Sequence, residues 1–326
     1  MSRSEDCFDV EVCFNEEPPC PTIKINNPFD PNTEILFEWY FEEFLRFPFV
    51  DTVKARTAKE TIQQYGEALF NQIFTDRRIF SRYARFQGNG LGELSIVVIA
   101  QNTHFDAIHW ETLKDPDLPH PFSVELVNVV RKNNVAPVLS ATVRQYPQIN
   151  LLLVTARPYG ENDVGYRTIS RSMIDLSDQA HLKINAHILR PGTYQALSEH
   201  LDQVGDRYYH VIHFDMHGSL ASYDGLKDRK EQNKIVYQPR WGLDDIDPYD
   251  GVKAYLWFES ETKDKPVPVE ASEVAKLLLA KQIPACILNA CQSAKQTGGH
   301  GDMAITQSSL ARALVQAGVQ SVLAMS

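Results

Sequence analysis

The sequence is poor in the features that mark several large classes of protein. It has 5 cysteines in 326 residues. Cys7, Cys13 and Cys20 are spaced C-x5-C-x6-C, without the paired CxxC of a zinc ribbon. Five cysteines do not make a disulfide framework, and reduced thiols are expected throughout. Cys286 lies inside an apolar run and is expected to be a small buried hydrophobe. No apolar run approaches the ~20 residues of a membrane span, so no membrane partner is expected. The acidic N-terminus, MSRSEDCFDVE, has no apolar signal region, which predicts a cytoplasmic location. Positive charge is also scarce: 32 Lys and Arg against 42 Asp and Glu give a net charge of −10. The charge and the lack of a basic stripe interleaved with aromatics argue against a binder driven by phosphate contacts, and no direct nucleic-acid partner is expected. No repeat of fixed period is visible. Asp244, Asp245, Asp247 and Asp250 match a calcium loop in charge alone and lack its spacing and final Glu. Neither a metal nor a cofactor is expected.

What is present is an ordinary globular composition, 43% hydrophobic and 23% charged, in a chain long enough for about two domains. Residues 1–33 are rich in Pro, Asn and acids and predict an extended arm. Helical periodicity begins at Glu34 and continues in segments over Thr57–Ile73 and Asp76–Phe86. LSIVVIA, from Leu94 to Ala100, predicts a buried strand. Residues 34–148 are therefore expected to form an N-terminal lobe of helices and strands. From Ile149 the order changes to strand, helix, strand, helix, strand. LLLVTA predicts a central parallel strand, with helices over Ile169–Ala180 and Thr193–Val204 and a strand over Lys183–Arg190. Lys234–Tyr237 and Val252–Glu259 predict a hairpin. A helix over Glu270–Ala280 leads to another apolar strand. Another helix, Ser308–Ala317, is expected to stop at Gly318 before a strand over Val319–Met325. The fold class expected for residues 149–326 is α/β, a mainly parallel sheet sandwiched by helices.

Two stretches carry reactive side chains after apolar runs. VIHFDMHGS, Val211 to Ser219, delivers His217 and Gly218. ACILNACQSA, Ala285 to Ala294, delivers Cys291. A thiol needs a base to become a thiolate near neutral pH, and an imidazole within hydrogen-bond reach supplies it. Parallel strands of one sheet end on the same edge, so residues far apart in sequence can meet there. His213, on the same strand face as Asp215, is expected to be a satisfied core histidine. His109, His187, His210 and His300 have no partner pattern.

LLLVTARPYGENDVGYRTISR (Leu151 to Arg171), HFDMHGS (His213 to Ser219), ILNACQSA (Ile287 to Ala294) and SSLARALVQAGVQSVLAM (Ser308 to Met325) together resemble the clan CD cysteine peptidases, the relatives of caspases, separases and legumains. More narrowly they resemble the CHAT family, over about Leu36 to Ser326. The resemblance implies a caspase-like fold whose N-terminal lobe is a degenerate caspase-like unit supporting the catalytic one. One more helix is expected beyond Ser326. Cys291 would be the nucleophile and His217 the base, with the amides of Gly218 and Cys291 as the oxyanion hole. Asn289, two residues before the cysteine, would line the substrate pocket, with Asp215 as a further acid. Arg157 and Arg167 would either face an acidic substrate side chain or pair with Glu161, Asp163 or Asp175. The partners implied are a protein substrate and a regulatory protein, in prokaryotic defence or cell death. A catalytically silent interaction scaffold is the alternative. A glutaminase-like hydrolase fits less well, because NACQSA has no glycine beside Cys291.

Overall fold

The computed structural model describes residues 7–15, 17–28, 31–40, 44, 49, 51–99, 105, 108–126, 128–132, 145–159, 183–238, 246–260, 265–289 and 303–324. The chain divides into two compact units, Met1–Asn134 and Val135–Ser326.

In the first unit β1 (Cys7–Val10) pairs antiparallel with β2 (Ile23–Asn26). The expected extended arm is thus paired with itself. Three helices follow: α1 (Pro31–Glu38), α2 (Thr52–Phe74) and α3 (Arg77–Asn89). Asp76 caps α3 by accepting from the Arg78 and Ile79 amides at 2.8 and 3.2 Å, which satisfies donors that have no partner inside the helix. β3 (Ser95–Ile99) lies where a buried strand is expected, but only Val98 is buried, and Val97 and Ile99 are exposed; α4 (Phe122–Glu125) precedes β4 (Asn128–Lys132), which pairs parallel with β3. The periodicity of the sequence gives no sign of β4, because five residues containing Asn, Arg and Lys do not alternate cleanly. Tyr65, Phe70, Tyr83 and Phe122 centre an aromatic core, with Phe70 edge-on to Tyr83 at 5.6 Å and to Phe122 at 5.9 Å.

The second unit is built on five parallel strands in the order β12-β11-β7-β5-β6. They are β5 (Ile149–Thr155), β6 (Ile184–Leu189), β7 (Val211–Asp215), β11 (Ala285–Asn289) and β12 (Ser321–Ala324). β5 and β7 are flanked on both sides, which explains their nearly unbroken apolar runs. β7 does not continue through His217. After Met216 the chain enters β8 (His217–Ser222), which belongs to a second, antiparallel sheet with β9 (Val252–Phe258) and β10 (Val267–Glu270), in the order β10-β9-β8. The hairpin is therefore β9-β10, and Lys234–Tyr237 forms no strand. The polar stretch after Ser222 folds as α6 (Tyr223–Glu231), capped by Ser222 through the Gly225 amide at 3.2 Å. Its apolar periodicity is too weak to read from the sequence.

Leu152, Val154, Ile212, Phe214, Cys286 and Leu288 line one face of the parallel sheet. They share an apolar core with α5 (Tyr194–Val204), α7 (Ala271–Ala280), α8 (Met303–Gln316) and Leu256 and Phe258 of the second sheet. Gly318 follows α8 at φ +111°, the left-handed stop expected of it. The helix expected over Ile169–Ala180 lies outside the described residues. Phe214, fully buried at the centre of this core, is expected to be among its most costly positions. Phe214→Ala should destabilise the chain by about 3–5 kcal/mol in urea unfolding.

Candidate active site

The carboxyl ends of β5, β7 and β11 stand in register. Thr155 is opposite Asp215, and Asp215 is opposite Asn289. Two backbone bonds extend this row: the Ala156 amide donates to the Asp215 carbonyl at 3.1 Å, and the Met216 amide to the Asn289 carbonyl at 3.2 Å. His217 and Cys291 each come two residues after the end of one of these adjacent strands.

Asp215 is buried and both its oxygens are engaged. Arg157 donates from Nη2 to Oδ2 at 2.6 Å, and Asn289 donates from Nδ2 to Oδ1 at 3.0 Å. Arg157 Nη1 also donates to the carbonyls of Asp215 at 2.7 Å and Ala156 at 3.0 Å. The ion pair is nearly dry, with side chains 6% and 7% exposed. A buried pair is tolerated only when its remaining polar atoms are satisfied, and this one has that support. Three of the four expected pocket residues, Arg157, Asp215 and Asn289, thus form one network. Arg167 lies outside the described residues. Among the described residues Arg157 pairs with Asp215; Glu161, Asp163 and Asp175, the other expected partners, lie outside them. Spacing along the chain could not predict this, because the strand register that joins residues 157 and 215 is a tertiary fact.

A second carboxylate fixes the turn that carries Arg157. Glu259, next after β9, accepts from the Arg157 amide at 2.9 Å and the Gly192 amide at 3.0 Å, and its own amide donates to the Gly192 carbonyl at 2.9 Å. A Cβ on Gly192 would fall 2.3 Å from the Thr155 carbonyl oxygen, so only glycine allows this approach. Glu259 ends the AYLWFE run, and an acid closing a strongly β-forming run is the one sequence sign of its role.

His217 opens β8, opposite Trp257 of β9, and is half-buried. Its ring lies 5.3 Å from that of Tyr159 at 60°. Gly218 is buried opposite Leu256. Cys291 lies outside the described residues. Tyr159 was not singled out by the sequence; its position two residues past Arg157 in the same turn is the only hint.

His213 sits on β7 between Leu153 and Ile287, 1% exposed. Among the described residues neither ring nitrogen has a hydrogen-bond partner, and the same holds for Thr155 Oγ1 in the next row of that face. The expectation of a buried histidine holds, but not of a satisfied one. Burial pushes its pKa down, partly countered by Asp215. Cys286 is fully buried, its thiol pushed up to about 12 by desolvation, which fits an inert packing role. His210 accepts the Asn150 amide at 2.9 Å through Nδ1, and His187 stacks on His200 at 4.6 Å. Among the described residues no group of three or more His, Cys, Asp or Glu is arranged to hold a metal ion, and no helix is long and apolar enough to cross a membrane.

These features define a mixed α/β protein whose candidate site lies at the carboxyl edge of a parallel sheet. The CHAT domain model matches residues 63–326, and the chain belongs to this caspase-like family. Comparison with curated proteins and with solved structures gives no match.

Two measurements test the network. Asp215→Ala strands a buried guanidinium and should cost about 3–5 kcal/mol in chemical denaturation, whereas replacing Arg157 and Asp215 together by apolar residues should cost clearly less. His213 has a depressed pKa in the folded state. Below its unfolded pKa of about 6.5 the unfolded chain takes up a proton that the folded chain resists. Stability should therefore fall as pH drops below that value, by up to about 1.4 kcal/mol per pH unit. His213→Leu should flatten that part of the stability–pH curve.

Proposed function

We propose that this chain is a cysteine endopeptidase in which Cys291 is the nucleophile and His217 the base. The observation that carries the reading is the paired ending of β7 and β11. Asp215 and Asn289 are register partners, and His217 and Cys291 follow each of them by two residues, in a chain of a caspase-like family. Two residues span at most about 7 Å of extended chain, which bounds how far each residue can lie from the edge where Asp215 and Asn289 pair.

In this reading the His217 imidazole accepts the Cys291 thiol proton, and the thiolate adds to the scissile carbonyl carbon. The carbonyl oxygen becomes an oxyanion, which the Gly218 and Cys291 amides would stabilise. The imidazolium gives its proton to the leaving amine as the C–N bond breaks, leaving a thioester. Water, deprotonated by the same imidazole, adds to the thioester; the C–S bond breaks, the acid leaves, and the thiol recovers its proton. Asp215 does not complete a triad in this scheme, since Arg157 and Asn289 engage both its oxygens.

Arg157, Asp215 and Asn289 are assigned to the wall of the substrate pocket, together with Arg167. Because Arg157 and Asp215 cancel one another, that pair offers a basic or an acidic side chain little uncompensated charge. A protein substrate, a regulatory protein partner, a cytoplasmic location and a role in prokaryotic defence or cell death complete the proposal, all on the strength of the family.

Labelling with a peptide-like electrophile tests it. Adduct should form at Cys291 alone, vanish in Cys291→Ala and slow by about 10²-fold in His217→Ala. Equal modification of several cysteines, unaffected by His217→Ala, would mean that no activated thiol exists, and would favour the silent scaffold.

A further inference from the structure

A Cys-His dyad works only if its imidazole is held in one orientation. The imidazole turns about two side-chain bonds, and only one orientation presents its basic nitrogen to the thiol. In many triads a carboxylate fixes that orientation. Here the nearest acid along the chain, Asp215, is committed to Arg157 and Asn289.

The ring beside His217 belongs to Tyr159. Their centroids are 5.3 Å apart at 60°, within the tilted range favoured for aromatic pairs. Tyr159 stands in the turn after β5, which is tied on two sides. The Arg157 amide is held by Glu259 and the Arg157 guanidinium by Asp215. The far end of Tyr159 is tied as well: its phenol is a hydrogen-bond partner of Arg229. Arg229 comes from the last turn of α6, and its guanidinium carbon lies 5.3 Å from the centre of the Trp257 ring. Trp257 is the cross-strand partner of His217, and its indole N–H donates to Ser219 Oγ at 2.9 Å, two residues along the same strand. The contacts close a ring: His217, Tyr159, Arg229, Trp257, and back to the strand that carries His217. An aromatic that merely filled space would not need its polar end held by a guanidinium that is itself stacked on an indole.

We infer that Tyr159, anchored by Arg229, is a positioning residue that holds the His217 imidazole in a single orientation. The orientation stands on geometry alone; its chemical consequence rests on the peptidase reading above. Tyr159 touches neither the thiol nor the substrate carbonyl in this scheme and acts through His217. The aromatic ring carries the function, with the hydroxyl serving only to tether it.

The experiment reads orientation and chemistry separately. In full-length protein made with isotope-labelled histidine, the ring Cε1–Hε1 resonance of His217 is assigned by its loss in His217→Ala. It should be a single narrow line, displaced from exposed histidines by the Tyr159 ring current. Tyr159→Phe should keep that line. Tyr159→Leu should move it toward exposed histidines and broaden it, and Arg229→Met, which leaves Tyr159 untethered, should do so in part. In parallel, alkylation of Cys291 by iodoacetamide should slow by ~10-fold or more in Tyr159→Leu, recover in Tyr159→Phe, and follow the pH profile of His217→Ala in the former alone. An unmoved His217 line in both Tyr159→Leu and Arg229→Met overturns the inference whatever the alkylation rates. A moved line together with alkylation insensitive to His217→Ala upholds the positioning and overturns the peptidase reading. If Tyr159→Leu fails to fold, Arg229→Met decides alone.

Discussion

Burying Arg157 against Asp215 is the constraint on which the candidate site depends. Taking both charges out of water costs several kcal/mol per ion, and their attraction offsets that cost only if every other polar atom of the pair is also satisfied. The surrounding chain meets this demand with the Ala156 and Asp215 carbonyls and the Asn289 amide group. Those partners come from the ends of three different strands. The pair therefore sets where β5, β7 and β11 stop relative to each other, and where the residues just beyond them begin.

From that point the polar architecture extends outward in one direction. Glu259 captures the amides of Arg157 and Gly192 and so joins the end of β9 to the turns after β5 and β6. Tyr159 follows from the same turn, and Arg229 and Trp257 close around His217. Each of these contacts is modest alone. Together they surround an imidazole on a strand edge with packed aromatic side chains. Deeper on the same sheet face the pattern is the opposite: the His213 ring nitrogens and the Thr155 hydroxyl are buried without hydrogen-bond partners among the described residues, which costs free energy that the aliphatic neighbours must offset.

The sequence revealed those parts of the fold that rest on local pattern. Five parallel strands, the helices α5, α7 and α8 and the stop at Gly318 follow from unbroken apolar runs, 3.6-residue periodicity and glycine chemistry. Arg157, Asp215, Asn289 and His217 were legible as candidates because reactive or charged residues follow apolar runs there. Their pairing was not, because register across strands is set by tertiary packing. Neither α6 nor β8 was legible: one is too polar for its buried face to show, and the other follows β7 after a single residue, so the two strands read as one. Glu259 and Tyr159 were missed because each acts on a partner about 60 to 100 positions away, Gly192 and Arg157 for the first and His217 for the second.

The one-residue passage at Met216 has a mechanical meaning. On one side of it the chain belongs to the parallel sheet, on the other to the antiparallel one. His217 therefore travels with the small sheet, while the strand leading to Cys291 travels with the large one. A slip of one layer over the other would leave both ladders intact but break the Glu259 bonds to the Arg157 and Gly192 amides, so that one carboxylate is the clasp between the layers.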